Sequence, residues 1–248
     1  MTTRIQDGAD DIVVRGTPRQ RHVGGFSLIE LAIVIVIITL LLGSLMIPLA
    51  TQVDNRRYTE TEKQLAHIRE ALIGFALAKR HLPCPAESAS VGTEDRTGDV
   101  CTKRVGFVPW VTLGVTRHDA WNNLFRYSVT PSFANSNPDS YFALDTNGDI
   151  QIKASSTVDL TNNEIPAIVL SHGKNGFGAT SSTGTAQFTP SGWTSDDDEQ
   201  VNATDFDEVY VRVRTENTAA PGGEYDDVVA WVSLNQLFAR MVSAGRLP

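Results

Sequence analysis

The sequence predicts an α+β protein: a long N-terminal α-helix, membrane-spanning in its first half, packed on an antiparallel β-sheet head and followed by a short C-terminal helix. Three observations predict it. Residues 26–50 read FSLIELAIVIVIITLLLGSLMIPLA, with Glu30 as the one ionisable side chain. Residues 51–81 continue as an amphipathic helix without a break signal, and beyond Pro83 short β-branched or aromatic runs alternate with turn-rich stretches.

The apolar run comes first. At a rise of 1.5 Å per residue, 25 residues make about 37 Å of helix, enough to cross a hydrocarbon core of ~30 Å with some tilt. A secretory signal peptide is the first alternative, because Arg19 and Arg21 precede the run. The run is too long for that, and no A-x-A cleavage site follows it. Glu30 is the informative residue, since a carboxylate in a spanning helix costs about 2.5 kcal/mol or more near the bilayer centre. Its segment has no Lys, Arg or His. Either Glu30 reaches the interface and merely sets the depth of an ordinary anchor, or a cation comes from outside. Gly24-Gly25 stands just before Phe26, and cutting after Gly25 would create a positively charged α-amino group on Phe26.

Farther along the helix, Leu65, Ile68, Leu72 and Phe75 recur at helical spacing and form one apolar stripe, expected to pack under the head's sheet. The other face carries Arg56, Arg57, Glu60, Glu62, Lys63, Arg69 and Glu70, mixed in sign as on a solvated surface. Pro48 is expected to permit a kink, and Gly74 is a second soft point. The helix should end near His81, because Leu82-Pro83-Cys84-Pro85 cannot continue it. Strands are expected over 124–130, 141–144, 167–171, 208–214 and 227–232, with surface loops over 132–139 and 172–198. Ser233 should cap a terminal helix that buries Leu234, Leu237, Phe238 and Met241.

Net charge is −8 and the charges are scattered, so the electrostatic footprint of a nucleic-acid binder is missing. Catalysis is not expected either. Ser171-His172 lacks a G-x-S-x-G elbow, and neighbours on a strand point to opposite faces. Asp145-Thr-Asn-Gly-Asp149 has the alternating oxygen donors of a calcium loop, but no Glu follows eleven residues after Asp145, and a hairpin turn explains Asn147-Gly148 equally well. With the N-terminus inside and the head outside, Cys84 and Cys101 would lie in an oxidising compartment, where a disulfide is expected.

The run G-F-S-L-I-E-L followed by some twenty apolar residues resembles the class III signal of type IV pilins and type II secretion pseudopilins. The resemblance implies a pilin-like fold with a cytoplasmic leader over 1–25, a membrane and filament-core segment over 26–50, an amphipathic half-helix over 51–81 and a β-rich head over 82–248. It implies that a prepilin peptidase cuts after Gly25 and methylates Phe26, and that Glu30 then neutralises the amine of a neighbouring subunit. The implied partners are that peptidase, other pilin or pseudopilin subunits, an inner-membrane assembly platform and membrane lipid. The implied location is the inner membrane, single-pass with a periplasmic head, and then a filament. Two head segments are similar to major pseudopilins: Asp119-Ala-Trp121-Asn122-Asn123-Leu-Phe-Arg-Tyr127, with Asn122 where the family usually has Gly, and Ser171-His-Gly-Lys-Asn175-Gly-Phe-Gly. Those proteins have an acidic calcium-binding loop near the C-terminus. By that resemblance calcium is the candidate cofactor, drawing on Asp196, Asp197, Asp198, Asp205, Asp207, Glu224, Asp226 and Asp227, with Asp226, Asp227 and Asn175 named as ligands. The rival reading is a membrane-tethered binding module or adhesin whose acidic loop recognises a ligand.

Overall fold

A 52-residue helix, α1 (Leu28–Lys79), carries both the apolar and the amphipathic sequence patterns. The computed structural model describes residues 25–162, 164–186, 189–190, 192 and 197–247, with backbone alone over 43–49. Residues 1–24 of the leader expected over 1–25, the side chain of Pro48 and Asp196 lie outside the described residues. The chain divides into two units, Met1–Leu49 and Ala50–Pro248. In the first, every described side chain is exposed, Phe26 at 82% and Leu28 at 88% among them. Among the described residues no helix is long and apolar enough to cross a membrane. Part of the 26–50 run, the side chains of 43–49, is not among them.

In the second unit, α1 ends at Lys79 and Arg80 adopts a left-handed conformation at φ +69°, a common way to close a helix. The chain then forms β1 (Arg96–Thr97), β2 (Val100–Cys101), β3 (Val105–Phe107), a turn of helix α2 (Trp110–Leu113) and β4 (Arg126–Val129). Next come α3 (Pro131–Ala134), a 3-10 turn (Pro138–Ser140), β5 (Gln151–Ser155), β6 (Val158–Asp159) and β7 (Ala167–Ser171). Last are α4 (Asp198–Thr204), β8 (Glu208–Tyr210), β9 (Val228–Val232) and α5 (Leu234–Ser243). The main sheet is antiparallel in the order β3-β4-β7-β9. A second sheet, β6-β5-β8, pairs β5 with β8 in parallel.

β7 explains how the head is layered. All five of its residues are buried, which is why AIVLS reads as a continuous apolar run. Because side chains alternate along a strand, Ala167 and Val169 join a core with Leu65, Ile68, Leu72, Ile73 and Ala76 of α1 and Leu237 and Met241 of α5. Ile168 and Leu170 face the other way, into a second core with Ile150, Ile152, Phe206 and Val209. The α1 stripe therefore packs under the sheet as expected, with Phe75 half-buried.

Three expectations are corrected. Residues 141–144 form no strand: Phe142 is an anchor in the main core, its ring 4.8 Å from that of Phe133. The strand expected over 208–214 stops at Tyr210, and Arg212 and Arg214 turn to Asp198 and Asn55 respectively. Ser233 occupies the N-cap position of α5 but makes no side-chain capping bond; Leu234 and Phe238 pack against the main core instead.

Candidate functional site

Two places carry chemistry, and the first is the start of α1. Ser27 and Glu30 bond reciprocally: Ser27 N donates to Glu30 Oε2 at 3.4 Å, and Glu30 N donates to Ser27 Oγ at 3.2 Å. This is a capping box, which satisfies N–H groups that a helix start otherwise leaves open. The spacing Ser27-x-x-Glu30 is the sequence signature of this box. Gly25 has open space around it and Phe26 is exposed.

The second place lies in the head. The Asp119 and Ser171 segments, far apart in sequence, meet there: Asp119 Oδ1 accepts from the N–H of Trp121 and of Asn123, both at 2.9 Å, and Oδ2 accepts from Ser171 Oγ at 2.6 Å. Ser171 thus spends its hydroxyl on Asp119, although His172 is the next residue. Gly173 follows at φ +58°, pressed so closely on Asp226 that a Cβ would overlap its Oδ1 and its carbonyl oxygen. That close approach brings the 171–175 turn onto the start of β9.

At this junction Glu199, Asp226 and Asp227 each offer an oxygen, all within 4.8 Å of one another. Asp226 Oδ2 accepts from the N–H of Lys174 at 3.0 Å, the N–H of Asn175 at 2.9 Å and the hydroxyl of Tyr58 at 3.2 Å. Asp227 Oδ2 accepts from Asn202 Nδ2 at 2.8 Å. Three residues apart on α4, Glu199 and Asn202 share a helix face. Asn175 Nδ2 donates to Glu199 Oε2 at 2.8 Å and to Glu224 Oε1 at 3.0 Å. Asp226 Oδ1 and Asp227 Oδ1 are buried without a hydrogen-bond partner.

Burial raises all three carboxyls, and repulsion between neighbouring acids adds to it at Glu199 and Asp226. Asp226 is pushed up to about 6, chiefly by burial. Glu199 is raised by burial and then by the charges of Asp227 and Asp226, and Asp227 is raised by its burial. Such a set favours protons or a cation, because charges cannot remain unpaired out of water. The oxygen donors suit a divalent ion. Glu199, Asp226 and Asp227 would hold it, and its charge would offset theirs. Asn175 turns its amide nitrogen to Glu199 and Glu224 and so serves as a positioning donor for the acids.

The centre is tied to α1. Lys174 Nζ lies 2.6 Å from Asp54 Oδ2, and the Arg214 guanidinium sits 4.0 Å above the Tyr58 ring. Trp121 meets that ring edge-on at 4.6 Å.

Of the other acids proposed for calcium, Asp198 pairs with Arg212 and Asp207 pairs with Arg104 at 2.9 Å. In the Asp145–Asp149 segment, Asp149 accepts from both Arg104 Nη1 and Nη2, at 3.1 and 2.9 Å. Neither an open calcium loop nor a hairpin forms there. Glu199 was missed because it ends an acidic run, and only the helical turn of α4 separates its role from that of Asp198. Cys84 and Cys101 form a disulfide, with Cα atoms 5.3 Å apart.

Residues 20–46 match the family model of the prokaryotic N-terminal methylation motif, the class III signal typical of type IV pilin and pseudopilin precursors. The chain therefore has the N-terminal signal of a type IV pilin-like precursor, and its α+β architecture, with a long N-terminal helix and an antiparallel sheet, is consistent with a pilin-like fold. Comparison with curated proteins and with solved structures finds no match.

Proposed function

We propose that the chain is the precursor of a minor or specialised pilin or pseudopilin, a non-catalytic structural subunit of a type IV pilus-like or type II secretion filament. The methylation motif carries this reading, and Gly25, Phe26 and Glu30 all fall within the matched residues 20–46. A prepilin peptidase cuts after Gly25 and methylates the amine of Phe26. Among the described residues, the Glu30 carboxylate accepts from the Ser27 N–H at the helix start. A cationic amine from a neighbouring subunit is a stronger partner than a neutral N–H, because it adds the attraction of opposite charges to the hydrogen bond where little water screens it.

Residues 26–50 anchor the subunit in the inner membrane, N-terminus inside, and then exchange lipid contacts for helix contacts as the assembly platform feeds it into the filament. The head lies in the periplasm, and the Cys84–Cys101 disulfide accords with that oxidising compartment. The experiment is filament shearing with Glu30 variants. Glu30→Asp is expected to be partly incorporated and Glu30→Leu excluded; normal incorporation of the Leu variant removes the charge-pair mechanism. If the unmutated chain is found only as a membrane monomer, the tethered binding module replaces the subunit reading.

A further inference from the structure

The head carries two Asn-Gly pairs, Asn147-Gly148 and Asn175-Gly176. In such a pair the glycine amide nitrogen can attack the asparagine side-chain carbon with no Cβ in the way, and the covalent link already holds the two groups together. The fold treats the two pairs differently. At the second, Gly176 N donates to the His172 carbonyl at 3.1 Å, Asn175 Oδ1 accepts from Phe177 N at 3.0 Å, and Asn175 Nδ2 donates to Glu199 and Glu224. Nucleophile, carbonyl and leaving nitrogen are all engaged. At the first, Asn147 is exposed and lies outside helix and strand, and among the described residues neither its side chain nor the Gly148 N–H makes a hydrogen bond. Only its flanks are pinned: Thr146 N donates to the Ala143 carbonyl at 3.0 Å, and Asp149 N to Thr130 Oγ1 at 3.1 Å. Glycine is required at 148, because a Cβ there would overlap the backbone of Glu164 and Ile165. The packing of this loop thus keeps the reactive pair in place.

We propose that Asn147 is a self-modification site of the folded head, converted to aspartate and isoaspartate through a succinimide. Gly148 N bonds to Asn147 Cγ as the Cγ–Nδ2 bond breaks, and the side-chain nitrogen leaves as ammonia with the amide proton. Water then opens the ring, at Cγ to give aspartate or at the main-chain carbonyl to give isoaspartate. Either product places a new negative charge between Asp145 and Asp149, the latter already bound to Arg104. Isoaspartate also adds a methylene to the main chain beside Gly148, where the contact with residues 164–165 leaves no space. Ammonia is lost, so the charge marks the age of a folded subunit. The reaction needs neither filament assembly nor a bound cation, because water is its one co-reactant.

The test incubates the full, unmutated chain in detergent and mildly alkaline buffer, and follows both pairs over time by peptide mapping and mass spectrometry. Asn175 reacts only after local opening breaks its hydrogen bonds, so Asn147 is expected to convert roughly tenfold faster or more. Isoaspartate should accompany aspartate at 147, with one oxygen taken up from isotopically labelled water. In denaturant the two rates should converge, because the bonds that protect Asn175 are gone. Equal rates in the folded chain, a faster Asn175, no conversion at Asn147, aspartate without isoaspartate, or a rate gap that persists in denaturant would each overturn the proposal.

Discussion

Asn122 has φ +66°, in the left-handed region, where it is exposed and its carbonyl accepts from Ser182 N at 2.8 Å. The departure from the pseudopilin pattern, Asn for Gly, thus respects the backbone that the position demands, since Asn is among the few side chains that visit this region. Asn122→Gly should change stability by under about 1 kcal/mol, whereas Asn122→Val should cost about 1–2 kcal/mol, read by chemical denaturation. A comparable cost for both variants would show that the side chain matters more than φ. His81 offers a second residue-level prediction. Burial lowers its pKa below 6.5 and outweighs the opposing hydrogen bond to the Leu82 carbonyl. The unfolded chain therefore takes up the proton before the folded one, so the contribution of His81 is present above about pH 6.5 and lost as pH falls below it. The melting-temperature difference between wild type and His81→Gln should shrink or reverse on acidification from pH 7 to pH 5. A difference independent of pH would refute the assignment.

Among the elements, the segment after α1 is held by a disulfide as well as by the burial of Leu82 in the main core. The Cys84–Cys101 loop spans 17 residues, and closing it is worth about 3 kcal/mol in the chain-entropy estimate. The double change to Ala should lower unfolding free energy by that order, with the transition made reductant-insensitive. Where α1 underlies the sheet, Leu72 is fully buried in the main core. Leu72→Ala should cost about 2–5 kcal/mol by leaving a cavity; a loss under 1 kcal/mol would mean that α1 contributes little to the head's core. These elements were legible to different degrees. The α1 stripe, β7 and α5 announced themselves through period and composition, because each buries one continuous apolar face. β5, β6 and α4 did not: they are short, and they are held by other elements, as where Asn202 of α4 bonds the backbone of Tyr210 in β8.

At the scale of the molecule, anchoring and head stability are separate matters. Glu30 lies in the unit Met1–Leu49 and the acidic centre in Ala50–Pro248. Glu30→Leu should therefore leave thermal unfolding of the head unchanged while removing the chain from filaments; a matching drop in head stability would link the two. The sequence by itself determined the processing signal, the apolar run and the helix stripe, because each depends on residues within a few positions of one another. Only the tertiary structure decided the acidic centre. Asp226 and Asp227 stood out by composition, but Glu199, His172 and Asn175 reach them through the left-handed turn at Gly173, the pairing of β7 with β9 and the rotation of α4. Those contacts join residues more than twenty positions apart, and no local pattern specifies which of the chain's many acids will be driven out of water.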